Sequence, residues 1–207
     1  MYYLNENIRF PDVSEASPEG VLAIGGDLSV ERLILAYKTG IFPWFDDVEP
    51  IVWWSPNPRF VLFPEKLKVS KSMRQVLRNS DFEVTVNKDF KTVITECSNM
   101  KRDGQAGTWI TNQMIEAYVD LHNQGYAKSV EVWQNDMLVA GLYGVDLGNG
   151  VFCGESMFTK VSNASKVGLI TFIQNTNYKL IDCQVYTNHL ESLGAEEVDR
   201  EFFISCL

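Results

Sequence analysis

Apolar residues recur along this chain at two spacings, and the change from one to the other divides it into strands and helices. A short apolar run at 21–24 leads through Gly25-Gly26-Asp27-Leu28-Ser29 into a helix over about 30–39. Ser29 is placed to cap it, Leu33, Ile34 and Tyr37 share one face, and Gly40 ends it. Residues 41–45 and 52–59 then crowd aromatics and prolines together. Prolines 43, 50, 56, 58 and 64 suit edge strands and rigid turns, and the aromatics predict a local core or a stacking surface. Further on, 82–86 alternates as a strand, and Asn87 is placed to cap a helix that buries Phe90, Val93, Ile94 and Cys97. A polar loop at 101–107 leads into a helix bearing Met114, Ile115, Tyr118, Leu121 and His122, closed by Gly125. His122 falls on its apolar side and reads as a satisfied core histidine.

Three strands follow at 129–133, 137–146 and 150–158, joined by turns at Asn135-Asp136 and Gly148-Asn149-Gly150, an antiparallel meander. Ser162 is placed to cap a helix with Val167, Leu169, Ile170 and Ile173 inside. A short strand at 181–184 and a helix capped by Thr187 and ended by Gly194 complete the pattern. The order is that of an α+β protein. The change in character near 60–64 predicts a small N-terminal domain, 1–62, and a larger one, 63–207.

Two strands of this pattern each carry one acid among apolar neighbours, Glu155 and Asp182. A strand, a helix and a second strand would set these two side by side, facing one cleft. Alternation puts Gln184 on the same side as Asp182. An isolated acid in an apolar strand is costly unless it is paired or used, so the chemistry is expected here.

Composition narrows the choice. The chain has 207 residues, 45% hydrophobic and 22% charged, an ordinary globular make-up. Its net charge of −9 argues against a nucleic-acid binder by sum, yet 64–79 holds five basic residues against one acid. Lys71, Arg74 and Arg78 fall at i, i+3 and i+7 of a helix that Ser70 can cap. That strip is either a solvated face or a phosphate contact. Four cysteines without a CxxC pair, and two histidines far apart, leave no zinc pattern and suit reduced, cytosolic thiols. Neither a signal peptide nor a membrane-length apolar run is visible, so no membrane partner is expected.

Several signatures fail. Gly154-Glu155-Ser156-Met157-Phe158 begins like a nucleophile elbow but ends in Phe where Gly is required. No phosphate-binding loop is present, and 102–107 has the wrong spacing for a coenzyme A pyrophosphate loop.

One family does match. The stretches GVLAIGGDLSVERLILAYKTGIFPWF, IVWWSPNPRFVL, VSKSMRQVLR, GTWIT, SVEVW, LVAGLYGV, FCGESMF, NASK, IDCQ and HLESLGA run in its order from Gly20 to the end. By them the chain resembles the leucyl/phenylalanyl-tRNA–protein transferases. The resemblance implies a small N-terminal domain beside an acetyltransferase-like (GNAT-like) domain whose mixed, mostly antiparallel sheet is flanked by helices. It implies transfer of Leu or Phe, less well Met, from aminoacyl-tRNA to the α-amine of proteins beginning with Arg or Lys. Such products enter N-end rule degradation. It further implies a cytoplasmic enzyme, a monomer, with no cofactor and no metal.

The resemblance also implies roles. Asp182 would take or attract the amine's proton, with Gln184 beside it, and Glu155 would pair with the acceptor's cationic side chain. Leu142, Phe152, Met157, Leu169, Phe172 and Ile181 would line the pocket for the transferred side chain. Trp44 and Trp109 would stack on the tRNA's 3′-terminal adenosine, and Lys71, Arg74 and Arg78 would meet its phosphates. The chemistry agrees with the residues: an aminoacyl ester is already activated, so no covalent nucleophile is needed and only a neutral α-amine must be supplied. A non-catalytic RNA- or peptide-binding module and a coenzyme A-dependent N-acetyltransferase are the rival readings. Departures from the family pattern are a shorter link at 174–179, an end at Leu207, Leu142 where Met is common, and Gln75 and Asn79 where some members are basic.

Overall fold

Short apolar strands near the N-terminus cannot bury both faces alone, and they pair into a small sheet that packs under a larger one. The computed structural model describes residues 2–46, 49–100 and 109–207; the polar loop expected at 101–107 lies outside the described residues. The first sheet has four strands, β1 (Tyr2–Leu4), β2 (Val21–Gly25), β3 (Phe42–Pro43) and β4 (Val52–Trp54), in the order β1-β2-β4-β3. Helix α1 (Val30–Lys38) connects β2 to β3. Ser29 stands at its N-cap position but makes no side-chain cap bond; its N–H donates to the Asp27 carboxylate at 2.8 Å.

The second sheet has seven strands. In chain order its elements are β5 (Arg59–Leu62), α2 (Lys71–Asn79), β6 (Glu83–Val86), α3 (Phe90–Ser98), α4 (Asn112–Asn123) and β7 (Ala127–Gln134). They continue with β8 (Met137–Asp146), β9 (Val151–Thr159), α5 (Ala164–Gln174), β10 (Leu180–Gln184), α6 (Asn188–Ser192), β11 (Glu196–Val198) and α7 (Arg200–Ser205). The strand order is β11-β5-β10-β9-β8-β7-β6, antiparallel except where β10 runs parallel to β9. A meander, a helix and a parallel return strand make the acetyltransferase-like arrangement.

Strand β5 belongs to this second sheet, between β10 and β11, so the chain passes from one sheet to the other between Trp54 and Arg59, inside the stretch 1–62. The core is shared as well. One cluster of buried side chains runs from Leu22, Leu33 and Trp53 to Phe90, Tyr118 and Tyr143. Helix α5 has seven buried residues, Ala164, Val167, Gly168, Leu169, Ile170, Phe172 and Ile173, because the sheet covers one side and α2 another. Gly168 allows this: a Cβ there would lie 2.7 Å from Val132 Cγ2.

Two caps differ from the sequence pattern. Helix α5 starts one residue later than Ser162 predicts, with Asn163 as N-cap at φ 67° and no side-chain cap bond. Asn tolerates this left-handed turn, which brings the Ala164 N–H back to the Val161 carbonyl. Helix α3 is capped by Asp89, whose Oδ1 accepts the Thr92 N–H at 3.2 Å. Asn87 is diverted, its Oδ1 accepting the Ser129 N–H of β7 at 3.0 Å. His122 stacks on Phe90 and its Nδ1 lies 2.8 Å from the Ala127 carbonyl. Ser70, Thr111 and Thr187 cap α2, α4 and α6. Among the described residues, no helix is long and apolar enough to cross a membrane.

Candidate active site

Strands β9 and β10 stay paired through Leu180↔Val151, Ile181↔Phe152 and Asp182↔Cys153, and then part. The parting begins in β10, which is irregular against β5 between Asp182 and Gln184. Gln184 sits at φ 63°, a left-handed conformation unusual for a residue with a Cβ. Side chains bridge the gap that opens: Gln184 Nε2 donates to Glu155 Oε1 at 2.7 Å.

Both acids of the sequence pattern are buried and both are engaged. The Arg59 fork grips Asp182, Nε donating to Oδ1 at 2.8 Å and Nη2 to Oδ2 at 2.6 Å, and the Gln184 N–H donates to Oδ1 at 2.9 Å. Glu155 accepts from Tyr37 Oη at 2.7 Å, from Tyr118 Oη at 3.2 Å and from Gln184. Burial pushes the Glu155 carboxyl up to about 7; the Tyr37 bond opposes the rise and the Asp182 charge reinforces it. Burial and the same carboxylate hold Tyr37 and Tyr118 well above the ordinary phenol value, so both remain donors at neutral pH. Arg59, Asp182, Gln184, Glu155 and the two tyrosines thus form one continuous polar network inside an apolar body.

A cavity of about 600 Å³ opens at the split. Its wall includes Glu155, Asp182 and Gln184, and from the apolar set Leu142, Phe152, Met157, Leu169 and Ile181. Phe172 is absent from the wall. It stands behind Phe152 with ring centroids 4.9 Å apart, and Tyr178 packs against both. Gly144 makes room for the Phe152 ring, since a Cβ there would lie 2.5 Å from that ring and 2.3 Å from the Cys153 carbonyl. Trp44 and Trp109 are both half-buried and both on the wall; Trp44 tilts against Trp54, whose Nε1 donates to the Trp44 carbonyl at 2.7 Å. Such a cavity has the size and the apolar lining with few polar groups typical of a small-ligand site.

Sequence reasoning missed other wall residues, among them Met100, Tyr143, Ser165, Cys183 and His189. His189 Nε2 is buried without a protein partner, and burial with nearby Lys166 lowers its pKa. Its neighbour Leu190 also reaches the wall, so the HLES motif was a usable signal. Arg59 had a signal too, standing in a proline-rich aromatic stretch, but nothing local ties it to Asp182. Lys71, Arg74 and Arg78 all project into solvent from α2, while Met73 beneath them is buried, and none of the three is on the cavity wall.

A mixed sheet split between two parallel strands, with two buried carboxyls and an apolar cavity at the split, is an acetyltransferase-like fold with a built small-ligand site. The family model described as leucyl/phenylalanyl-tRNA protein transferase matches residues 61–207, and that of its N-terminal domain matches 26–57. A leucyl/phenylalanyl-tRNA–protein transferase of Flavobacterium johnsoniae is 64% identical over 100% of this chain and 99% of its own. One from Flavobacterium psychrophilum is 55% identical over 100% of this chain and 99% of its own. A GCN5-related N-acetyltransferase from Kribbella flavida aligns over 79% of this chain and 59% of its own, at 10% identity and a TM-score of 0.39. The chain belongs to the leucyl/phenylalanyl-tRNA protein transferase family and is an aminoacyltransferase.

Proposed function

We propose that this chain moves Leu or Phe, less readily Met, from aminoacyl-tRNA to the α-amine of proteins beginning with Arg or Lys. The product carries a new N-terminal residue that feeds N-end rule degradation. The observation that carries the reading is the Asp182–Gln184–Glu155 chain beside an apolar cavity at the parting of β9 and β10.

The neutral amine nitrogen attacks the ester carbonyl carbon. A C–N bond forms, the ester C–O bond breaks, and the ribose oxygen leaves with a proton. Gln184 gives its amide N–H to Glu155, which leaves its amide carbonyl to accept from the incoming amine. The negative charge of Asp182 behind it attracts the amine's proton as the C–N bond forms. An ionised carboxylate has about four acceptor positions. On Glu155, Gln184 takes one position and the hydrogen-bonded pair Tyr37 and Tyr118, with one proton each, shares others, which leaves room for an Arg or Lys side chain.

Leu142, Phe152, Met157, Leu169 and Ile181 receive the transferred side chain, with Phe172 supporting Phe152 from behind. Fit in such a pocket separates neighbours by only about 1–3 kcal/mol per methylene, which suits tolerance of Leu, Phe and Met. Trp44 and Trp109 stack on the terminal adenosine, and Lys71, Arg74 and Arg78 meet phosphates, so tRNA binding is weak and salt-sensitive. The enzyme acts as a cytoplasmic monomer.

The test is transfer of labelled leucine from leucyl-tRNA to a peptide beginning with Arg, at low salt. Wild type transfers; Asp182→Ala loses transfer, and Glu155→Gln is weakened chiefly in peptide KM. Wild type that binds the tRNA but transfers nothing would sink the reading, and full transfer by Asp182→Ala would sink the role given to Asp182.

A further inference from the structure

The side chain that holds Asp182 comes from outside the cavity wall. Arg59 begins β5, and its guanidinium is buried with 1% of the residue exposed. Four residues fix it. Two N–H groups go to the two oxygens of Asp182, and Nη1 donates to the Gly40 carbonyl at 3.2 Å. Two aromatic rings pack against it, with Cζ 4.7 Å from the Phe42 centroid and 4.6 Å from that of Phe203. Phe42 lies in β3 of the first sheet, and Phe203 in α7 at the end of the chain. The supports of this one side chain therefore come from the small sheet and the turn before it, the C-terminal helix, and the split between β9 and β10.

We propose that Arg59 is a positioning residue for aminoacyl transfer: gripped by Phe42 and Phe203, it fixes the Asp182 carboxylate, and through the Gln184 N–H it sets the Gln184 amide toward Glu155. The inference rests on the roles given above to Asp182 and Gln184. Its physical basis is the shared oxygen. Asp182 Oδ1 accepts from both Arg59 Nε and the Gln184 N–H, so any swing of the carboxylate moves the residue that carries the catalytic amide. Gln184 is held in a left-handed conformation, which persists only while its surroundings enforce it. A planar fork packed against two rings restrains rotation of the carboxylate, which the point charge of lysine does not. The C-terminal helix α7 thereby becomes part of the transfer machinery, although none of its residues is on the cavity wall.

The test compares Arg59→Lys, Arg59→Met, Phe203→Leu, Asp182→Asn and the double variant Arg59→Met/Asp182→Asn in the leucine-transfer assay, normalised to folded protein. Arg59→Met lowers kcat about 100-fold while KM for the Arg peptide and Kd for the tRNA change less than about threefold. Arg59→Lys recovers part of that loss, and Phe203→Leu loses about three- to tenfold in kcat. In the double variant the losses do not multiply, because Arg59 acts through Asp182. Wild-type kcat in Arg59→Lys and Phe203→Leu would overturn the proposal even if Arg59→Met fails to fold, and so would losses that multiply in the double variant. Should Asp182→Asn be impaired while the Arg59 variants are not, only this inference falls. Should Asp182→Asn keep the wild-type rate, the role of Asp182 falls and this inference with it.

Discussion

Glu131 on β7 and Glu155 on β9 are both glutamates buried in strands of one sheet, yet their surroundings are opposite. Glu131 accepts from Ser129 Oγ at 2.6 Å, Thr85 Oγ1 at 2.7 Å, and the backbone N–H groups of Lys88 at 3.2 Å and Asp89 at 3.3 Å. These donors are short-armed or main-chain, and they close the carboxylate away from any wall of the cavity. The site ties β6, β7 and the start of α3 together and leaves nothing over. Glu155 meets only the tips of three long side chains, two of them tyrosines that also bond each other, and it borders the cavity. A buried charge whose donors are all supplied serves the fold. One that borders a space, held by side-chain tips alone, has the surroundings that would let it meet a ligand.

The contrast can be broken most visibly at Glu131. Glu131→Ala leaves four donors without their acceptor and is expected to cost about 3–5 kcal/mol, read from urea unfolding, with activity per folded molecule unchanged. Loss of activity without loss of stability would reverse the assignment of the two glutamates.

Glu155→Gln should do the converse: peptide KM rises by about 10–100-fold, while stability at pH 5 moves by less than about 1 kcal/mol. Stability against pH sharpens this. Glu155 titrates at about 7 in the folded chain, above the ordinary 4.5. Its contribution is therefore fully present below about 4.5 and is lost as the pH rises through 7, by about 3 kcal/mol in all. Melting temperatures from pH 5 to 8 should fall more steeply for wild type than for Glu155→Gln, and parallel curves would contradict the shift. Ionisation of Glu155 over the same range should also lower the wild-type peptide KM.

Trp44→Ala tests the cavity side of the comparison without touching either carboxylate. It should weaken tRNA binding by about 1–3 kcal/mol, as loss of one stacked base does, with peptide KM little changed. The smallest effect is expected on α2. Arg74→Ala should reduce tRNA affinity by under about 1 kcal/mol and lower the slope of affinity against salt by about one ion. An unchanged slope would make that strip a solvated face.

Much of the site was legible, for a local reason. Glu155 and Asp182 stand alone among apolar neighbours, and a lone acid in such a strand signals a cost that something must offset. The turns around the meander and the caps of α2 and α6 are also local, because cap and turn residues act within three or four positions. The grip on Asp182 was not legible, since Arg59 lies 123 positions away and enters from a different strand. The same holds for Tyr37, which reaches Glu155 across 118 positions. Ser162 and Asn87 misled because each is a competent cap, and only the path of the chain decided which neighbour took the position.

What the sequence by itself determined was the order of elements, the α+β class and the family, all of which follow from periodicity, turn chemistry and contiguous motifs. The tertiary structure alone decided that β5 joins the larger sheet, that Phe172 stands behind the cavity wall, and which buried acid is closed and which is open. Those outcomes depend on donors and rings that meet only after the sheets pack. In a close-packed interior, a buried carboxylate takes its character from the atoms that reach it.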